Sequence, residues 1–448
     1  MKEEKRQFYK MVFALVLPMA LQNLINVGVT SADVIMLGKV GEIALSASSL
    51  GGQVYFILNL IYFGLTSGAA VITAQYWGKG DTRTIEKVMA ISIRFAVLAG
   101  IVFTIAVWAA PEQIMGILTN DPEIIREGAV YLRIVGCSYV ISGITMVYLN
   151  IIRSVERVLI GTVVYAASLL TNVVLNAIFI FGLLGNPAMG VAGAALGTCG
   201  ARVVELLIVI WYARKKNDTV KFHFRDLFLK DADLMKDFRK YAVPVLLNEL
   251  AWGSGMAMIT AIMGHLGSAA VAANSVAQVS RQLSMVVAFG VSNATAIVLG
   301  KTIGEGNEEK AEIYARRFVR LAFWLGLAGG TVILCVSPIA RHFLVLTDQA
   351  REYLRYMMYV LAYFVVAQSL NTTLVVGIFR SGGDTRYGLI LDLSTLWGGA
   401  IVLGLITAFL LKLPVPVVYI FLVSDEIIKL PFAFSRYRQK KWLRNITR

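Results

Sequence analysis

Apolar runs long enough to cross a bilayer, about 20 residues each, recur about twelve times along this 448-residue chain. They fall at 11–37, 46–75, 88–110, 129–152, 159–183 and 191–212 in the first half. The second half gives 241–263, 269–299, 321–340, 356–379, 387–411 and 413–434. The expected fold is an all-α integral membrane protein of about twelve transmembrane helices. Composition agrees, with 57% of residues hydrophobic and 16% charged, against roughly 25% charged in soluble domains. The first ten residues are charged and the run behind them is too long for a signal h-region, so no cleavable signal is expected.

The runs form two sets of six. Residues 17–41 read LPMALQNLINVGVTSADVIMLGKVG, and the pattern returns at 243–267 as VPVLLNELAWGSGMAMITAIMGHLG. Pro18 falls on Pro244, 226 positions on (18 to 244), and the same offset takes Gly38 to Gly264 and Gly41 to Gly267. Without a gap it then takes Gly64 to Gly290, Gly78 to Gly304, Gly80 to Gly306 and Glu86 to Glu312. A register held over about seventy positions marks an internal repeat. Six spans per half give both halves one orientation, so the axis relating them lies along the membrane normal. The expected organisation is an N-lobe of six helices at 1–213, a cytoplasmic linker at 214–240, a six-helix C-lobe at 241–435 and a basic cytoplasmic tail at 436–448. The linker is expected to end in a short amphipathic surface helix.

The net charge of +14 invites a nucleic-acid reading. The cations lie instead in short loops between apolar runs, where membrane topology accounts for them. One side holds Lys79, Arg83, Lys87, Arg153, Arg157, the 214–240 segment, Lys301, Lys310, Arg316, Arg317, Arg380, Arg386 and both basic termini. About thirty cations on that side face about seven opposite, so it is cytoplasmic. A multi-pass protein of the inner (plasma) membrane with both termini in the cytoplasm is expected. Cys137, Cys199, Cys335, His223, His265 and His342 are scattered, with neither disulfide nor zinc spacing. GKGDTR at Gly78 and SGGDTR at Ser381 lack the full phosphate-loop pattern and read as turns. No clustered nucleophile or metal set points to an enzyme, and no cofactor is expected.

Ionisable residues within membrane helices cost about 2.5–3.5 kcal/mol each at mid-helix, so each needs a partner, water or a role. They are Asp33, Arg94, Arg133, Arg202, Glu205, Glu249, Arg281, Asp392, Asp425, Glu426 and Lys429. Gln22, Asn26, Thr30 and Asp33 share one helical face by their spacing. Such a stripe faces a cavity or a neighbouring helix, and the plainer alternative is an interfacial Asp33 beside Lys39. Asn172 and Asn176 stand one turn apart. They either bond between helices or join Asp33 in an oxygen-rich cage for a cation such as Na+. Asp33 alone could take up a proton instead, and the residues do not choose. Thr198 offers a hydroxyl nearby, within the GVAGAALGTCGA run whose Gly193 and Gly197 permit close helix packing. Arg202 and Glu205, three apart, are expected to pair. Arg281 is expected either to neutralise Glu249 or Asp392 or to leave Glu249 facing a cavity that attracts cations. Asp425, Glu426 and Lys429 read as a structural network. Gln22, Asn26, Gln53, Glu249, Arg281, Gln368 and Asn371 are the polar residues expected to line a substrate cavity.

Several motifs together resemble the multidrug and toxic compound extrusion family of bacterial type. They are Pro18 with Asp33-Val-Ile-Met-Leu-Gly38, Ala74-Gln-Tyr-Trp-Gly-Lys-Gly-Asp81, Gly190-Val-Ala-Gly-Ala-Ala195 and Arg380-Ser-Gly-Gly-Asp-Thr-Arg386. The resemblance covers nearly the whole chain. It implies twelve helices in two six-helix lobes about a V-shaped cleft, and export of organic cations and other amphipathic drugs in exchange for Na+ or H+. It also implies that Asp33, Asn172, Asn176 and Thr198 match the family's N-lobe cation and proton site. Two departures stand out. Asn176 occupies a position where one archaeal-type branch has an aspartate, and the tenth span offers only Gln368, Ser369 and Asn371 where the sodium-driven branch has an acid.

The function expected is therefore a secondary active multidrug efflux antiporter working by alternating access as a monomer in the bilayer. The alternative is a flippase for a lipid-linked saccharide precursor. That would want a cationic cavity, for which Arg281 is nearly the only mid-span cation.

Overall fold

The computed structural model describes residues 2–344 and 346–448, and every regular element among them is a helix. In chain order these are α1 (Lys2–Val40), α2 (Glu42–Lys79), α3 (Thr82–Ala109), α4 (Pro111–Leu118), α5 (Pro122–Val135), α6 (Tyr139–Ser154), α7 (Leu159–Phe181) and α8 (Val191–Lys215). The second half continues with α9 (Ala232–His265), α10 (Ser268–Gly304), α11 (Glu308–Phe343), α12 (Asp348–Thr372), α13 (Thr385–Asp392), α14 (Val402–Leu405), α15 (Val415–Leu422) and α16 (Asp425–Arg438).

Among the described residues, eleven helical stretches are long and apolar enough to cross a membrane. A 3-10 turn at Gly136–Ser138 joins α5 and α6 into one of them. Another extends α12 through a π-helical turn at Thr373–Phe379. The twelfth apolar run is not one helix but two, α15 and α16, broken at Val423 and Ser424. The Ser424 hydroxyl turns back to the Phe421 carbonyl at 2.6 Å. Asp425 and Glu426 then open α16, where the positive end of the helix favours acids.

The repeat is visible in backbone chemistry. Pro18 lies within α1 and Pro244 within α9, each removing one backbone N–H from its helix. Gly80 and Gly306 both adopt left-handed backbone, at φ of 81° and 78°, a region open to glycine at little cost. The next residue caps the following helix in both halves. Asp81 accepts from the Thr84 N–H at 3.0 Å, and Asn307 from the Lys310 N–H at 3.1 Å. The two halves also touch at one reciprocal crossing. A Cβ on Gly78 would stand 1.9 Å from the Lys301 carbonyl oxygen, and one on Gly304 would stand 1.9 Å from that of Gln75. Gln75 and Lys301 are themselves 226 positions apart (75 to 301), so α2 and α10 cross by the same contact made twice.

The chain packs as two compact units. One comprises Leu21–Thr73 and Asp81–Arg239. In it α8 lies close on α7, because a Cβ on Gly193 would fall 2.5 Å from the Phe179 carbonyl carbon. The linker docks on the start of α3. Arg83 makes a two-pronged contact with the buried Asp226, both bonds at 2.6 Å. The end of the linker is helical, as expected, with Leu234 and Phe238 buried on one face, but it is the first part of α9 and not a separate helix. Phe224–Phe228 is a 3-10 turn, and the chain then enters α9, which runs unbroken to His265.

The other unit comprises Met1–Ala20, Ala74–Gly80 and Lys240–Arg448. Here α11 meets α12 at glycine contacts, Gly330 lying against the Ala362 carbonyl. The C-terminal residues pack into this unit: Trp442 is 1% exposed. The Gln75 amide donates to the Ser381 and Arg444 carbonyls at 2.7 and 2.9 Å and accepts from the Ile446 N–H at 2.8 Å.

Candidate functional site

Asp33 sits on α1 and is half-buried. Asn172 and Asn176, on α7, are almost fully buried. The Asn176 amide donates to Asp33 Oδ1 at 2.5 Å and to Asn172 Oδ1 at 3.2 Å. Its two N–H bonds are thus spent, and its own Oδ1 is buried without a partner. A buried unpaired oxygen costs about 1–3 kcal/mol. Room for this amide comes from α8, since a Cβ on Gly197 would lie 2.1 Å from Asn176 Oδ1. Arg202 on α8 lies within electrostatic range of Asp33. Its charge is already met by Glu205 at 2.7 Å, the pair that their spacing predicts.

The other residues of the stripe divide. Gln22 is buried, and its amide donates to the Val158 carbonyl and the Thr162 hydroxyl, both at 3.0 Å. It ties α1 to the start of α7. Asn26, Thr30 and Gln53 are exposed, and Thr198 is half-buried. No described hydrogen bond joins Thr198 to the Asp33 cluster.

In the second half the polar residues meet partners that spacing did not reveal. Arg281 pairs with neither Glu249 nor Asp392. Glu249 is held by Arg380 at 2.7 Å and Asp392 by Lys429 at 2.6 Å. The Arg281 guanidinium instead approaches Met256 Sδ at 3.5 Å. Glu249 therefore carries no free charge for attracting cations, which corrects the reading of it as an open cavity acid. Arg380, counted as a loop cation, is 4% exposed. Its partner is 131 positions away, beyond any local pattern. Gln368 and Asn371 are buried, and Asn371 bonds the Glu426 side chain at 2.8 Å. Asp384, in the SGGDTR turn, holds Arg436 through two bonds of 2.7 and 2.9 Å, so this acid locks a turn and not a phosphate.

The half-buried Asp33 and its two asparagines thus lie within a duplicated helical bundle. The MatE family profile matches twice, at residues 18–178 and 244–406, each match opening on a repeat proline. This chain belongs to the MatE family. It is 21% identical over 435 residues to the uncharacterized transporter YisQ of Bacillus subtilis, covering 96% of this chain and 94% of that protein. It is 23% identical over 444 residues to the probable multidrug resistance protein NorM of Thermotoga maritima, covering 98% and 94%. Among solved structures, an outward-facing multidrug resistance MATE transporter aligns with a TM-score of 0.87 at 23% identity, over 96% of this chain and 95% of that one. A MATE structure in a bent conformation aligns with a TM-score of 0.88, over 97% and 95%. At such identities these structures establish the shared twelve-helix MATE fold.

Proposed function

We propose that this MatE-family protein exports amphipathic and cationic small molecules in exchange for Na+ or H+. It would do so as a monomer in the plasma membrane, both termini cytoplasmic, with the two lobes exposing a central cleft to either side in turn. The family membership and the multidrug-resistance names of its relatives support efflux as the transport class. The observation that carries ion coupling is the Asp33–Asn176–Asn172 cluster with its unpartnered Asn176 oxygen. An arriving Na+ would find the Asp33 carboxylate and the amide oxygens of Asn172 and Asn176. An arriving proton would sit on Asp33 itself. Either event neutralises Asp33, which has no salt bridge among the described residues, and so changes what α1 and α7 can hold together. Each net positive charge moving inward contributes about 2.3 kcal/mol per 100 mV, which sustains a roughly fiftyfold gradient of an uncharged substrate.

The test is efflux by cells expressing Asp33→Asn. The variant keeps the side chain's shape and removes its charge. Loss of drug resistance at normal expression is the expected result. Unchanged efflux would take Asp33 out of the mechanism.

A further inference from the structure

A second group of ionisable side chains lies in the other compact unit, where α16 begins, with Asp425 and Lys429 buried and Asp392 and Glu426 half-buried. Lys429 Nζ lies 2.6 Å from Asp392, 3.7 Å from Asp425 and 4.0 Å from Glu426. Arg281 on α10 lies within electrostatic range of Asp425 and of Tyr419 on α15. Further along α16, Arg436 and Asp384 satisfy each other, with Tyr387 of α13 under the Arg436 guanidinium. Three carboxylates thus gather about Lys429 with Arg281 in range, and the fully ionised group of three acids and two cations carries one surplus negative charge in a largely dehydrated setting. The ammonium stands among the carboxylates, where a metal ion would otherwise sit, so the charge that fits is a proton.

Asn371 supplies the second, independent observation. It is 2% exposed. Its amide nitrogen donates to the Glu426 carboxylate at 2.8 Å and to the Glu426 carbonyl at 2.6 Å, while its Oδ1 is buried with no partner. An asparagine placed this way serves both states of its neighbour. Its N–H bonds the ionised carboxylate, and its oxygen, one amide rotation away, accepts from the protonated one. The start of α16 pulls the other way, since its backbone N–H groups favour the ionised acids. Opposed influences of this kind make a proton exchangeable rather than permanent.

We propose that Asp425 and Glu426 share one exchangeable proton, with Asn371 as its hydrogen-bonding switch and Lys429–Asp392 as the fixed ion pair beside it. The site is separate from Asp33, and an antiporter carrying both would have two ion-binding steps. That consequence rests on the transport reading above, whereas the proton site itself does not.

The test is pH-difference infrared spectroscopy of the full-length protein in lipid, following the carbonyl stretch of protonated carboxylic acids. The Asp33→Asn protein should keep a buried-acid band that disappears as pH is raised. The Asp425→Asn/Glu426→Gln double variant on that background should lack it. Each single variant should keep a band with a shifted midpoint, and Asn371→Leu should move the midpoint by about one pH unit, a tenfold change in proton affinity. If the folded double variant retains the band, the proposal is overturned. Should the double variant fail to fold, unchanged midpoints in both single variants overturn it equally. Failure of ion-coupled efflux would leave these spectra as they are, so the two readings can fail separately.

Discussion

Single side chains in this protein are held by contacts with little slack. At Gly197 the neighbouring amide oxygen occupies the place a methyl would need. Gly197→Ala should displace Asn176 and cost about 1–3 kcal/mol by overpacking. It should weaken ion-dependent efflux more than it lowers the melting temperature, which parallel transport and thermal-unfolding assays would show. Arg380→Ala acts through charge instead. It strands Glu249 in a buried setting, and breaking such a pair costs about 3–5 kcal/mol. Adding Glu249→Gln should recover a good part of that loss in thermal unfolding. A double variant no more stable than Arg380→Ala would contradict the pairing. Asp33 was legible in the sequence because a membrane helix with four polar residues at helical spacing has few explanations. The Arg380–Glu249 pair was not, because a cation at a turn between apolar runs looks like topology until its distant partner is seen.

At the scale of elements, glycines and breaks decide how helices meet. Gly78 and Gly304 let α2 and α10 cross at backbone distance, and their repetition in the sequence was a direct sign of it. The broken twelfth crossing was less legible, since VSDEIIK lies inside a run that averages as apolar. The end of the chain was hidden for another reason. Residues 436–448 are basic, and basic tails are ordinarily solvated. Yet Trp442 is buried, and the backbone of Arg444 and Ile446 is bonded to Gln75. Trp442→Ala should cost about 3–5 kcal/mol, the usual range for a buried tryptophan. A thermal shift no larger than that of Lys441→Ala, on the exposed neighbour, would show that the tail contributes nothing to the fold.

The whole molecule is a duplicated bundle whose halves share turn chemistry but not charge. Both halves bury acids beside arginine, Glu205 with Arg202 in the first and Glu249 with Arg380 in the second, but the first also holds Asp33 by amides and the second gathers three acids about Lys429. Duplication was readable because prolines and left-handed glycines are backbone requirements that survive when side chains diverge. The charge networks were readable only where members share a helix turn, as Asp425, Glu426 and Lys429 do; Asp392 and the Arg380–Glu249 pair join from distant segments and were not. The proposed coupling of an ion to efflux by Asp33 is tested at this scale. The decisive measurement is substrate uptake into inside-out vesicles, with Na+ and pH gradients imposed separately on the wild type and on Asp33→Asn. Uptake driven by one of the gradients in the wild type, and by neither in the variant, is the predicted result. Gradient-driven uptake that persists in Asp33→Asn would contradict it.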